Sequence, residues 1–399
     1  MKVLQVIASL APSWGGPTRV VISLADLLQE RGIRCRIVAP EFPPGEVVLR
    51  PRSSEYEVFP CKWLCRWWKG YSPPLMSRLA EIAKDFDLIH IHELWHYANF
   101  AAFRAAKKEN KPFVITLHYA LDSWRLNHKA LRKKIYLRLI QRKILNSASA
   151  FQALTLKEAE NIRAFGLSQP VAVIHNGIFP KDFENLPRPE QFESLYPQLR
   201  RKKVLLFLGR IHPMKGLDLL VNSFANVVSK RDDVALVVAG PDEGYRSKVE
   251  RFLKAKGIRE KAIFCGILSG EEKLAALSRA DIFVLPSYSE GFSIAVLEAL
   301  ACGIPVVISE SCNFPEVRKA KAGLVVDLNI EKIAQALDTL LGNRELRVEM
   351  GKNAKRLVVE NFSWDNVADE IALWYRDVLS GEKLAPLKIY SSLTPEPKR

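Results

Sequence analysis

Two carboxylates, Glu290 and Glu298, stand eight positions apart in the stretch 281–307. Glu290 lies in a polar turn after the short apolar run 282–285, which reads as a buried parallel strand. Glu298 lies inside an apolar helical run from Ile294 to Ala301. Gly303 ends that helix because it tolerates left-handed geometry, and Pro305 opens the next strand. A carboxylate among Ala295, Val296, Leu297, Ala299 and Leu300 is costly to bury without a partner. Ribose hydroxyls are one such partner, and the helix N-terminus just ahead favours anions. An exposed helical glutamate beside a solvated loop glutamate fits the pair equally well.

A second set of residues carries positive charge or frees the backbone. Arg210 and Lys215, within Gly209-Arg210 and Lys215-Gly216, trail the apolar run 204–208. A cationic pair on a tight loop at a strand's carboxyl end can neutralise a diphosphate, Arg by bidentate bonding and Lys as a point charge. Loop cations are also commonly just solvated. Near the amino terminus, Trp14-Gly15-Gly16-Pro17 joins the first strand to the first helix. Gly15 and Gly16 let the backbone approach a ligand, and the helix N-terminus adds partial positive charge, although any tight turn uses such a pair. His118 follows the apolar run 113–117.

The elements that must position these residues alternate between strand and helix. In the first half, strands are expected at 3–8, 34–39, 88–92, 113–117 and 151–154, with an amphipathic helix at 19–29 closed by Gly32. Thr155 and Glu158 form a capping box for a further helix. A Pro-rich, charged stretch at 179–201 reads as a linker with one short helix. A second series places strands at 204–208, 234–239, 262–265, 282–285, 306–308 and 324–326, with Ser269 and Glu272 capping one of its helices. Long helical runs follow at 330–342, 344–361 and 364–379. Such alternation means α/β architecture with parallel sheets. Two doubly wound sheets facing each other would put the carboxyl ends of their strands at a central cleft.

The pattern E-G-F-S-x-x-x-L-E-A-L-A-C-G-x-P-V-V closely resembles the E-x7-E signature of retaining glycosyltransferases of family 4, the group 1 enzymes with the GT-B fold. The resemblance runs over nearly the whole chain. It implies an acceptor-binding Rossmann-like domain at 1–178, a linker at 179–201 and a donor-binding domain at 202–362. The helix 364–380 would cross back onto the first domain, ahead of a flexible tail at 381–399. By resemblance Arg210 and Lys215, matching G-R-x(4)-K-G, bind the donor diphosphate and stabilise the leaving group, with Gly15 and Gly16 opposite. His118 would contact the donor sugar near the reacting carbon. Glu290, with the backbone of Gly291, Phe292 and Ser293, would hold sugar hydroxyls and Glu298 the ribose, while Gly266 and Ile267 would line the base pocket. The implied activity is hexosyl transfer with retention from a nucleotide-diphosphate sugar to a saccharide or lipid-linked saccharide. The implied setting is cell-surface polysaccharide synthesis at the cytoplasmic face, with no cofactor. No obvious protein nucleophile supports a double displacement. An epimerase or phosphorylase of the same fold is the nearest alternative.

Other patterns compete. His92-Glu93-Leu94-Trp95-His96 matches the zinc-hydrolase motif H-E-x-x-H, which needs both histidines on one helix face. Here Leu88–His92 reads as a strand, resembling the family's D-x-x-H-x-H strand headed by Asp87. Asp85-Phe86-Asp87 matches a metal-holding D-x-D but precedes a strand instead of following one, so no essential metal is expected. Of the net charge of +15, residues 1–180 hold 26 basic against 14 acidic side chains. Such a surface suits nucleic acid, anionic lipid or a phosphorylated substrate, and no nucleic-acid reading helix or stacking motif is recognisable. The run from Arg125 to Lys143 holds eight basic residues and no acidic one. The run from Cys61 to Gly70 packs three tryptophans among three basic residues. Both point to a peripheral anionic membrane surface. No apolar run approaches the ~20 residues of a membrane span, and six cysteines without a regular framework fit reduced thiols in a cytoplasm.

Overall fold

The structure, a computed structural model, describes residues 1–61, 69–122 and 140–390. The expected basic helix and tryptophan-rich segment therefore lie largely outside the described residues. The chain forms two compact units. One holds Met1–Gly177 and the chain from Trp364 onward, and the other is Ile178–Ser363.

The first unit is built on strands β1 Lys2–Val6, β2 Arg34–Glu41, β3 Glu55–Pro60, β4 Leu88–His92, β5 Phe113–Thr116, β6 Ala150–Ala153 and β7 Val171–Val173. Among the described residues an eighth strand, Leu387–Ile389, completes a sheet ordered 387–389, β7, β6, β5, β4, β1, β2, β3. Every pairing in it is parallel. The first strand in sequence thus sits inside, with β2 and β3 on one side and β4 on the other. A doubly wound sheet reverses direction at such a strand, leaving a crevice at its carboxyl end. The helix Gly16–Glu30 starts there and buries Val20, Val21, Leu24, Ala25, Leu27 and Leu28, the spacing of one apolar helix face. The helix Trp364–Leu379 packs against it. Arg31 ties the two, with Nε donating to Asp369 at 2.5 Å and Nη2 to Asp365 at 3.4 Å.

Two expectations fail in this unit. The segment after residue 380 is not wholly a loose tail. Lys388 pairs with Asp377 at 2.8 Å, Tyr390 donates to the same carboxylate at 2.5 Å, and Tyr390 is buried. An edge strand needs little apolarity, since Leu387 and Ile389 stay exposed, and so it left no run to read. The capping box at Thr155 is half made. Its hydroxyl accepts from Glu158 N at 3.1 Å, but the Glu158 carboxylate turns to Leu154 N at 2.7 Å and to Tyr119 N.

The second unit has six parallel strands: β8 Lys203–Leu208, β9 Val234–Ala239, β10 Ala262–Gly266, β11 Ile282–Leu285, β12 Val306–Ser309 and β13 Gly323–Val326. Their order is β10, β9, β8, β11, β12, β13, so β8 is the reversal strand. The runs FVL and VVI are buried on both faces by helices, as parallel sheets require. The stretch 179–201 is no free linker. Its helix Pro189–Leu195 packs on the helix Gly270–Arg279, with Phe192 and Leu199 fully buried. Arg279 locks it by donating to Glu193 at 2.6 Å and to the carbonyls of Leu199 and Lys202 at 3.0 and 2.5 Å. Proline starts this one short helix, which the sequence led one to expect, but its packing makes the stretch part of the unit. Ser269 is the N-cap of the helix Gly270–Arg279 but makes no side-chain capping bond.

Candidate active site

In the second unit the expected residues gather on loops after β8, β10 and β11. Because β8 pairs with β11, the loops leaving their carboxyl ends are neighbours. A one-turn helix Pro213–Lys215 follows β8, capped by His212, and Gly216 turns in left-handed geometry at φ 68°. Tyr288 N, beyond β11, donates to Met214 O at 2.8 Å. This stitching brings Lys215 Nζ onto Glu290 Oε2, with side chains only 10% and 13% exposed. A buried ammonium needs a nearby anion and further hydrogen bonds to persist. Glu290 is itself fixed: Ser287 Oγ donates to its carboxylate at 3.3 Å, Asn313 Nδ2 to its carbonyl at 2.7 Å, and its own N–H to Ser311 O at 3.1 Å.

The neighbouring residues have definite jobs. Phe292 is buried and stacks near Phe314 and Phe362, at 5.1 and 5.8 Å between ring centroids. Its side chain therefore anchors the loop that carries Gly291 and Ser293. Ser293 caps the helix Ile294–Ala301, its hydroxyl accepting from Val296 N at 3.4 Å. Glu298 does find a partner, and it is Lys273, whose Nζ donates to Oε1 at 2.6 Å. Arg210 Nη1 lies 2.9 Å from both oxygens of Glu243, in a half-exposed pair. Sequence reasoning named neither Lys273 nor Glu243, since nothing in spacing links residues 25 and 33 positions apart. Gly266 sits at φ 72°, its carbonyl accepting from Gly240 N at 2.7 Å, and Ile267 beside it is 70% exposed.

In the first unit the loops after β1, β4 and β5 carry the expected groups. Gly15 takes φ 85° and Gly16 opens the helix Gly16–Glu30, so this N-terminus starts at the reversal strand. Trp14 Nε1 donates to Glu93 Oε2 at 2.7 Å. Four non-glycine residues with positive φ cluster at the ends of β4 and β5: Glu93 at 66°, Trp95 at 74°, His118 at 48° and Tyr119 at 64°. Left-handed backbone is strained for such side chains, and strain of this kind concentrates at functional sites. His118 is buried, with Nε2 3.3 Å from His92 Nδ1.

The zinc-hydrolase geometry is not formed. His92 ends a strand and its Nε2 faces Gln5 Oε1 at 2.7 Å, whereas His96 is the N-cap of the helix Tyr97–Lys108. The two do not share a helix face. Asp87 accepts from Lys2 N at 2.8 Å at the amino end of β4, away from the loops that carry the site.

Parallel α/β units with charged loops at their reversal strands define a class of ligand-binding architecture. Comparison with known proteins makes it specific. Residues 14–181 match the model of Glycosyltransferase Family 4, and residues 196–357 that of Glycosyl transferases group 1. A phosphatidyl-myo-inositol mannosyltransferase of Mycobacterium leprae is 30% identical over 391 residues, covering 93% of this chain and 95% of its own. An uncharacterized glycosyltransferase of Methanocaldococcus jannaschii is 30% identical over 330 residues, covering 78% and 80%. Among solved structures, Anabaena HepE in complex with UDP and glucose matches with a TM-score of 0.75 at 18% identity, covering 94% of this chain and all of its own. The chain belongs to glycosyltransferase family 4, is a glycosyltransferase of group 1, and has the GT-B fold.

Proposed function

We propose that the chain transfers a hexosyl group, with retention, from a nucleotide-diphosphate sugar to a saccharide or lipid-linked saccharide acceptor. The observation that carries this reading is the buried Lys215–Glu290 pair at the β8/β11 reversal point. Glu290 supplies the anion that a buried ammonium requires; a diphosphate would take over that role and release Glu290 to bind hydroxyls. Arg210, held by a half-exposed pair, is available to the same phosphates. Negative charge grows on the leaving diphosphate as the sugar–phosphate bond breaks, and fixed cations and helix N-termini stabilise it without reorganising.

Glu298 and Lys273 would frame the ribose, Gly266 and Ile267 the base, and His118 the donor sugar. HepE carries UDP and glucose in its complex, and the mycobacterial relative is a mannosyltransferase, which supports a nucleotide sugar as donor here. No resident metal or cofactor enters this reading, because the cations do the work of one. The setting we favour is cell-surface polysaccharide synthesis at the inner membrane face. No helix among the described residues is long and apolar enough to cross a membrane.

The test is thermal unfolding of the full chain against free nucleotides and nucleotide sugars, with EDTA throughout. A ligand at 100 times its Kd stabilises by about 2.7 kcal/mol. One nucleoside diphosphate should raise the melting temperature, and Arg210→Ala and Glu298→Ala should abolish the shift. Silence from every nucleotide, with a shift on replacing EDTA by zinc, would overturn the reading.

A further inference from the structure

A chain of buried polar side chains runs through the first unit from His118 to a backbone carbonyl, and its direction can be worked out atom by atom. The starting point is Ile174 O, which can only accept. Gln152 Nε2 therefore donates to it at 3.0 Å, which turns Gln152 Oε1 toward Thr116. Thr116 Oγ1 donates to that oxygen at 2.6 Å and so accepts from His90 Nε2–H, also at 2.6 Å. Complete burial holds His90 neutral, its pKa pushed down to about 3. Its Nδ1 consequently bears a lone pair and accepts from the Tyr375 hydroxyl at 2.5 Å. The Tyr375 oxygen accepts in turn from Gln5 Nε2 at 3.1 Å. Gln5 Oε1 then faces His92 and accepts from its Nε2–H at 2.7 Å. Burial keeps His92 neutral as well, so its Nδ1 is the bare nitrogen, 3.3 Å from His118 Nε2. Only one assignment closes the chain: His118 donates from Nε2.

We propose that Gln5, His90, His92, Thr116, Gln152 and Tyr375 are positioning residues that hold His118 in its Nε2–H tautomer and fix its ring orientation. With Nε2 so committed to His92, the other edge of the His118 ring is the one that meets the donor sugar. This second step rests on the reading that His118 contacts the donor sugar. The sheet register makes the arrangement: Gln5 is opposite His90, His92 opposite Thr116, and Thr116 opposite Gln152. These side chains thus share one face of β1, β4, β5 and β6, and the helix Trp364–Leu379 contributes Tyr375 from above. A fully satisfied buried network specifies a single geometry. That matters at His118, whose left-handed backbone at φ 48° would otherwise relax.

The experiment is a long-range ¹⁵N–¹H spectrum of the full chain labelled at histidine, read together with steady-state kinetics. In the wild type His90, His92 and His118 should each show the Nε2–H pattern. Tyr375→Phe removes one oxygen from the middle of the chain. It should blur that pattern at His92 and His118 and lower kcat by about tenfold, with the donor KM within about twofold. Should that variant not fold, Thr116→Val interrupts the chain from the other side and must do the same. A His118 Nε2 without a proton in the wild type, or an unchanged spectrum and kcat in the variants, would overturn the proposal. A wild-type spectrum of the expected kind with no turnover of any nucleotide sugar supports the tautomer assignment and refutes only the functional reading.

Discussion

Lys215 and Glu290 illustrate what a single pair of side chains can decide. Both are nearly buried, and removing one member of such a pair strands the other's charge at a cost of about 3–5 kcal/mol. Glu290→Gln should therefore melt lower without ligand, yet bind a free nucleoside diphosphate more tightly, since the phosphate no longer displaces a carboxylate. Turnover of the nucleotide sugar should fall by about 100-fold, the scale of losing one polar group aimed at a transition state. Titration calorimetry against the free nucleotide separates the two effects; weaker binding of the nucleotide would contradict competition at Lys215. Those two residues were legible in the sequence because each sits where a strand run ends. Glu243, Lys273 and the Gln5–Tyr375 contact were not. Their meaning lies in partners 33, 25 and 370 positions away, which only the folded sheets bring together. His90 and His92 stood out in the sequence as a strand pair, but their neutrality follows from burial, which no motif records.

The loops that bring those residues together depend on close backbone approach. At Gly216 an added Cβ would lie 1.9 Å from Pro286 O, on a backbone already at φ 68°. The loop after β8 can press against the loop after β11 only if this position has no side chain. Gly216→Ala should cost about 2–5 kcal/mol, the sum of a left-handed penalty and overpacking, and should weaken nucleotide binding by parting Lys215 from Glu290. Gly244, at φ 84° with nothing within 4 Å of an added Cβ, is the control: alanine there should cost only about 1–2 kcal/mol. Urea unfolding of both variants measures the difference, and equal losses would mean the contact is dispensable. At this scale the central strands were readable as apolar runs of the right length. The elements that escaped are β3, β7 and 387–389, which are short or at the sheet edge, whereas the one short helix expected in 179–201 is Pro189–Leu195. Edge strands keep one side in water and need no continuous apolar run, so hydropathy cannot reveal them.

The two units differ in how the chain closes them. Ile178–Ser363 is one continuous segment whose core contains Phe192, Phe207, Phe224, Phe283, Phe314 and Phe362. The first unit is discontinuous and borrows the helix Trp364–Leu379 from the far end of the chain. That helix buries Trp364, Trp374 and Tyr375, and Trp364 fills the space against Gly177, where a Cβ would lie 2.7 Å from its ring. An aromatic side chain buries about 150–250 Å², which at about 25 cal/mol per Å² gives about 4–6 kcal/mol each as an upper estimate. Three of them rival the entire stability of an ordinary domain, about 5–15 kcal/mol. A fragment of residues 178–363 should therefore melt cooperatively by itself and keep its nucleotide-induced shift. A fragment of residues 1–177 should not fold, whereas a full chain ending at Ser380 should fold with a lower melting temperature. It loses the edge strand and the Tyr390–Asp377 contact but keeps the aromatic helix. Circular dichroism of the three proteins decides it. A cooperative melt of residues 1–177 near the full-chain temperature would mean that the strands and helices of that segment close their own core. The returning helix would then serve the buried chain to His118 more than the stability of the unit.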